Sequence, residues 1–382
     1  MPSRASRMGM FPSLFRAALP SLLSIALALL VCFIAIAVSR SDLSIAANAY
    51  LQMLWGGLGD VPSFLGSGNW SLLTRAWGES AAKAALLTFT GLAVSVAFCV
   101  GLFNIGAQGQ MTVGAIVAAV IGAKVALPAG LHPAVAIAGA AGAGALYALL
   151  PAVLKVRRGV HEVISTIMLN WVAVSLVENW LVVGPLRATA SGDLSRSGTD
   201  EILPTAELPR LLGSLSRLNA GFPLAVLSAV GVWFWLNRTS NGFEARAVGL
   251  GMEAARTAGI DVRARVYQTM AFAGALAGIA GAVWVLGTEY KFPATLGAPY
   301  GFDGIAISLI GQNHPLGVGA AAIFFGVLRA GGTRMQLLGV HKSFPELIQG
   351  LALLFVAGRL IWDSVLRRSA KRAVPMAEVP RA

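Results

Sequence analysis

The chain has 382 residues, of which 56% are hydrophobic and only 12% charged, with 44 glycines, a mean hydropathy of +0.73 and a formal net charge of +12. Soluble domains carry about 25% charged residues, and so few charges cannot cover the water-facing surface of a chain this size; the apolar content equally excludes disorder. What remains is an integral membrane protein whose outside is solvated by lipid, and the long apolar runs that follow make it all-α.

A bilayer core of about 30 Å takes roughly 20 apolar residues in a helix. The hydropathy pattern gives ten spans, near 18–38, 84–103, 109–127, 132–154, 163–184, 219–236, 267–287, 303–313, 315–331 and 345–363. The eighth is short and polar and reads as a partial or re-entrant segment. The apolar run from Leu22 to Val38 is longer than the roughly 7–15 residues of a signal-peptide core, so the first span reads as a retained helix. Residues 1–17 form a cytoplasmic tail, 18–363 the transmembrane domain and 364–382 a basic cytoplasmic tail; 1–12 and 373–382 read as disordered. Basic residues on cytoplasmic loops set orientation. With N-in/C-in topology, Lys155, Arg157, Arg158, the arginines from Arg238 to Arg265 and those from Arg359 onward all fall inside.

In chain order, Cys32 and Cys99 lie in apolar runs and read as small lipid-facing or packing residues. The stretch 101–111 places Asn104, Gln108 and Gln110 between two apolar runs, with Gly106 and Gly109 able to release the backbone from a helix. It either lines a route or forms a cytoplasmic turn. The run Ala138–Ala145 is entirely Ala and Gly, and Gly274 and Gly278 have GxxxG spacing. Both read as surfaces for close helix packing. Thr166 and Asn170 share one helical face, as interhelical glue or route lining.

Residues 185–218 read as an exposed external loop with a short helix near Glu207–Leu215. The inside segment 238–265 opens on an Asn241-Gly242 turn and continues as a short helix over Met252–Ala258, closed by Gly259. It is either a solvated connector or a docking element for a cytoplasmic partner. The charges inside the spans, Lys124, Glu178, Arg329 and Glu346, lie near predicted outer ends, where long side chains snorkel to the interface; Asp303 opens the short eighth span.

Catalytic patterns are absent. There is no GxxxxGK[ST] phosphate loop, GxSxG or HExxH, and the histidines His132, His161, His314 and His341 are scattered singly. No catalytic residue, metal, cofactor or nucleic-acid partner is expected. The charge-free middles of the spans suit a neutral solute better than a proton.

Four stretches carry a resemblance: Phe103-Asn-Ile-Gly-Ala-Gln-Gly-Gln, Val160-His-Glu-Val-Ile-Ser-Thr-Ile-Met-Leu-Asn, Glu244-Ala-Arg-Ala-Val-Gly with Glu253-Ala-Ala-Arg-Thr-Ala-Gly-Ile, and Gly301-Phe-Asp-Gly-Ile-Ala-Ile-Ser-Leu-Ile-Gly-Gln-Asn-His-Pro-Leu-Gly. In this order, over roughly 80–360, the chain resembles the permease subunits of ABC importers for branched-chain amino acids, simple sugars and nucleosides, above all the last two. It departs from the family where Gln108 replaces a usual acid and Gly251-Met252 replaces a usual Asn-Pro.

The resemblance implies a permease in the bacterial inner membrane that forms the route for a small polar solute. It implies a separate cytoplasmic ABC ATPase, a second permease chain (a sister subunit or another copy) and a periplasmic solute-binding protein. It makes 238–265 the coupling loop, with Glu244, Arg246, Gly249, Glu253, Ala254 and Gly259 toward the ATPase. Asn104, Gln108, Gln110, Thr166 and Asn170 are the candidates for the route. The alternative is a stand-alone secondary transporter or channel; a membrane enzyme is disfavoured for want of clustered His, Asp or Glu.

Overall fold

A computed structural model describes residues 10–188, 198–214, 216–294, 299–341 and 343–372. The described residues form fourteen α-helices: α1 Met10–Arg40, α2 Leu43–Leu58, α3 Val61–Ser67, α4 Ser71–Cys99, α5 Ala107–Lys124, α6 Leu131–Arg158, α7 Glu162–Val174, α8 Gly221–Arg238, α9 Ser240–Leu250, α10 Met252–Thr257, α11 Val262–Trp284, α12 Tyr300–Ile310, α13 Pro315–Met335 and α14 Phe344–Arg372. α7 and α11 each end in a π-helical turn, Ser175–Leu181 and Val285–Glu289. Six helical stretches are long and apolar enough to cross a bilayer: Ser21–Arg40, Ser71–Cys99, Leu131–Arg158, Glu162–Leu181, Val262–Glu289 and Pro315–Leu338.

α1 shows the logic of a lipid-facing helix. Its inward face is small, with Ser21, Ser24, Ala28 and Cys32 buried at helical spacing, while Leu23, Leu30, Ile34 and Val38 point outward. This inverts a soluble helix: the large apolar side chains meet lipid, and the small ones meet protein. α4 and α11 are the two central helices, buried along most of their length, whereas α1, α6 and α7 line the periphery. α11 packs against α6, α5 and α4; α4 packs against α13, α12 and α8.

Glycine permits this density. A Cβ on Gly278 would lie 2.2 Å from the Ala140 carbonyl oxygen and one on Gly274 2.3 Å from that of Gly144, while Gly114 would meet the Gly278 Cα at 2.5 Å. The GxxxG pair and the Ala/Gly run are therefore two sides of one α11–α6 seam, with α5 completing it.

Several elements depart from the sequence reading. α2 was not anticipated: its polar Asn48 and Gln52 mask a helix that packs on α13, where a Cβ on Gly57 would strike the Val327 carbonyl oxygen at 2.2 Å. α1 begins at Met10, taking in residues 10–12, and α14 runs through 364–372; residues 1–9 and 373–382 lie outside the described ones. The Asn241-Gly242 pair forms no loop turn. It sits in the first turn of α9, capped by Thr239 Oγ1, which accepts from the Gly242 N–H at 3.1 Å.

The 185–218 segment is less exposed than expected. Residues 189–197 and 215 lie outside the described ones, but Ile202, Ala206 and Leu208 are buried. The backbone N–H groups of Leu203, Ile202 and Leu208 donate to the carbonyls of Gly122, Tyr290 and Leu286. The helix expected near 207–215 is absent among the described residues, because Arg210 instead bridges antiparallel to Asn219. The short eighth span is an 11-residue helix, α12. At 1.5 Å per residue it covers about 17 Å, roughly half a bilayer core.

Candidate functional site

Two regions bring together the residues singled out by sequence. The first is a buried amide network where α5 and α12 begin. α12 ends beside the last turn of α4, where Ser95 Oγ donates to the Asn313 carbonyl at 2.7 Å. Its other end abuts Gln108, the second residue of α5. Both N-termini therefore sit about 17 Å into the bundle from the end of α4.

The first N–H groups of a helix have no partner within it, and at membrane depth no water supplies one. Side-chain amides fill the gap. Asn170 Oδ1, on α7, accepts from the Gly109 N–H at 2.7 Å, and its Nδ2 donates to the Ile105 carbonyl at 2.7 Å. Gln108 Oε1 accepts from the Gly301 N–H of α12 at 2.7 Å. Asn104 and Gln110 exchange two amide bonds of 3.0 Å each, and Asn104 Oδ1 also accepts from the Gly106 N–H. Thr166 donates to the Glu162 carbonyl of its own helix and packs beside Gly106.

All five residues are buried, Gln108 most exposed at 5%. Stretch 101–111 thus starts at an exposed Gly101 at the end of α4 and runs into the bundle, and within one chain Asn104, Gln108 and Asn170 hold backbone there. Gly301 must be glycine for this contact, since a Cβ would fall 2.3 Å from the Gln108 backbone.

The second region is the end of the bundle that carries the 238–265 arginines. α9 folds back on α8 so closely that a Cβ on Gly242 would lie 2.1 Å from the Trp235 carbonyl oxygen. α10 follows after Gly251, and Gly259 takes φ +85, a left-handed conformation that lets the chain turn into α11. Asp261 then caps α11, its Oδ1 accepting from the Ala264 N–H.

The six coupling candidates divide. Glu244 is held within the chain, its carboxylate 3.3 Å from Arg265 Nε, while Arg265 Nη1 also donates to Asn241 and Gln268 at 2.6 Å. Arg246, Glu253, Ala254 and Gly259 are exposed; Glu253 pairs with Arg256, three residues on, at 3.0 Å. Gly249 does something different. A Cβ there would lie 2.0 Å from the Cys99 carbonyl oxygen, so the backbone of α9 rests directly on the end of α4 where the chain departs for the amide network. Sequence reading missed Leu250, 92% exposed, and Phe243, 62% exposed, on the same surface. Their signal was available: two large apolar residues in an otherwise polar and small-residue helix.

Among the described residues no group of three His, Cys, Asp or Glu side chains is placed to hold a metal. His132 is buried, with Nδ1 2.8 Å from Thr205 Oγ1 and Nε2 3.2 Å from the Ile121 carbonyl oxygen, which ties α6 to the 198–208 segment.

Comparison with known proteins gives a consistent result. The family described as branched-chain amino acid transport system / permease component matches residues 78–357. The guanosine ABC transporter permease protein NupP of Bacillus subtilis is 37% identical over 300 residues, 77% of this chain and 84% of that protein. The glucose ABC transporter permease protein TsgB13 of Haloferax volcanii is 34% identical over 73% of this chain and 75% of its own length. The nucleoside ABC transporter permease protein NupB of Lactococcus lactis is 31% identical over 83% of this chain and 86% of its own. No solved structure matches.

Proposed function

The chain belongs to the family of branched-chain amino acid transport permease components, and from that membership we propose how it works as the membrane-spanning subunit of an ATP-binding-cassette importer. It is a multi-pass protein of the plasma membrane. The solute we assign is a nucleoside or simple sugar, in keeping with relatives named for guanosine, nucleosides and glucose.

In this reading the chain is N-in/C-in with ten spans, α12 supplying half of one. The arginine-bearing end with α9 and α10 faces the cytoplasm, where basic loops belong. There α9–α10 docks on a separate ATPase subunit, through Arg246, Leu250, Glu253 and Ala254. A second permease chain completes the route, and a soluble solute-binding protein delivers the cargo at the opposite face.

The observation that carries this reading is the seat of Gly249 on the Cys99 carbonyl. A push on α9 from the ATPase side reaches the end of α4 by backbone contact. From Val100 the chain leads within a few residues to Asn104 and the paired N-termini of α5 and α12. Packed elements transmit such a displacement as rigid bodies. The amide network then serves translocation by fixing where those N-termini sit, its side chains being buried within this chain.

The test is uptake of radiolabelled nucleosides and sugars in cells lacking the chain and in cells with it restored, before and after ATP depletion. Restored uptake of one solute class that stops on depletion is expected. Uptake that survives depletion would instead establish a stand-alone carrier.

A further inference from the structure

The Asp303–Arg329–Glu346 group has no place in the reading above, yet it sets an enclosed cation where three helices meet. Arg329, on α13, has a side chain only 8% exposed, with Nη1 2.8 Å from Asp303 Oδ2 and Nη2 3.3 Å from Glu346 Oε1. Its guanidinium also lies over the Tyr300 ring, 5.1 Å from the centroid. Gln349 Nε2, on α14, donates to Asp303 Oδ1 at 3.1 Å. One cation thus joins α12, α13 and α14.

The sequence reading placed Arg329 and Glu346 at an interface within reach of water. The two differ in exposure, with the Arg329 side chain at only 8%. Glu346 is half exposed, its side chain at 51%, whereas Asp303 is enclosed at 14%. Snorkelling accounts for the Glu346 side and not for the Asp303 side. Buried ion pairs are poor sources of stability, because desolvation offsets the attraction. Charges at membrane depth mark functional positions. This cluster is also incompletely satisfied: Arg329 Nε, Gln349 Oε1 and Asp303 Oδ2 are buried with no hydrogen-bond partner among the described residues, so Asp303 Oδ2 meets Arg329 as an ion pair and not as an aligned hydrogen bond.

Its location gives it a task. Asp303 lies in the first turn of α12, two residues from Gly301, whose N–H bonds to Gln108 on α5. The first turn of this half-helix therefore has two tethers. One is a single neutral hydrogen bond to α5; the other is a buried ion pair to α13, reinforced from α14.

We propose that Arg329 is a positioning residue for translocation. Through Asp303 it binds α12 to α13 and α14 as one body, so that in the transport cycle this body separates from α5 at the Gln108–Gly301 contact. The proposal rests on the permease reading, and adds which joint holds and which yields. Glu346, half exposed and 3.3 Å from Arg329 Nη2, is a peripheral partner that the proposal does not require.

The experiment uses the full transporter with its partner subunits in proteoliposomes. It compares wild type, Asp303→Asn, Arg329→Gln, Glu346→Gln and the double variant Asp303→Asn/Arg329→Gln. Four quantities are read: assembled protein, apparent KM, maximal uptake, and ATP hydrolysis without solute. Because a single variant strands a buried charge and can fail to assemble, the double neutral variant is the decisive one. It is expected to assemble as wild type, keep its KM within about twofold, lose about tenfold in maximal uptake and hydrolyse ATP without solute. Glu346→Gln is expected to change uptake by less than about twofold.

A double variant with wild-type uptake and coupling would overturn the proposal and leave the pair as a packing staple. So would a loss that follows assembled protein alone, or one that appears only in KM. If wild type itself showed no ATP-dependent uptake, the permease reading would fail instead.

Discussion

Asn170 grips the chain on both sides of the start of α5: its Oδ1 accepts from the Gly109 N–H and its Nδ2 donates to the Ile105 carbonyl, each at 2.7 Å. One side chain on α7 thereby satisfies two backbone groups that neither α5 nor water can serve. Removing it strands both, at about 1–3 kcal/mol for each buried unsatisfied group. Asn170→Ala is expected to lower the thermal midpoint of the protein in detergent clearly. Asn170→Asp keeps the acceptor toward Gly109 but turns a buried carboxylate oxygen on the Ile105 carbonyl, so it should fall at least as far as Asn170→Ala. Unfolding of Asn170→Ala at the wild-type temperature would show that the N-terminus of α5 is held by other means.

Gln108 stands where the family usually has an acid, and the structure explains why either can serve. Its Oε1 accepts from the Gly301 N–H at the positive end of α12. A carboxylate would accept the same bond and gain from the helix dipole, typically about 0.3–1 kcal/mol. Gln108→Glu is therefore expected to retain uptake and assembly. Gln108→Leu, of similar size without an acceptor, should lose most uptake. Equal transport by the two variants would remove the Gly301 contact from the mechanism.

The helices that meet lipid were the legible part of this fold, because a large-outside, small-inside pattern is written directly into stretches such as Ser21–Val38. α10 and its Gly259 stop were legible for the same reason: their signals are local. α2 was hidden because Asn48 and Gln52 dilute its hydropathy, and its burial depends on close approach to α13, which only tertiary contact reveals. α9 was misread because Asn-Gly favours turns in isolation; here Gly242 is required by the Trp235 carbonyl packed against it. The amide cluster was visible as composition, but its partners were not. Which backbone each amide caps depends on residues up to 193 positions apart, as for Gln108 and Gly301. Seating Gly249 on Cys99 left no trace beyond one more glycine among 44.

The α11–α6 seam gives a sharper test of packing. A Cβ on Gly278 would meet the Ala140 carbonyl oxygen at 2.2 Å, and backbone cannot yield as a side chain can. Gly278→Val is expected to force the helices apart and cost more than the roughly 1–3 kcal/mol typical of overpacking. Gly142, on the same Ala/Gly run, has nothing within 4 Å of its ideal Cβ. Gly142→Ala should therefore be tolerated, in assembled amount and in uptake. Equal sensitivity at both positions would refute the seam as drawn.

The proposed docking face makes the last prediction, and it separates residues that sequence alone grouped together. Glu244 is engaged by Arg265 inside the chain, so Glu244→Lys should disturb the α9–α11 joint and lower stability as well as transport. Arg246 and Leu250 face outward, Leu250 at 92% exposure. Leu250 shares its helix face with Phe243, and two large apolar side chains left uncovered together suit a partner's groove. Leu250→Asp is expected to leave the thermal midpoint unchanged while cutting ATPase co-purification and uptake by about tenfold or more, the scale of an interface anchor. Arg246→Glu should do the same to a smaller degree, and Gly249→Ala should spare ATPase binding but uncouple it, because it blocks the seat on Cys99 rather than the docking face. Were Leu250→Asp to bind the ATPase and transport as wild type, α9–α10 would be a connector and the coupling surface would lie elsewhere on this end of the bundle.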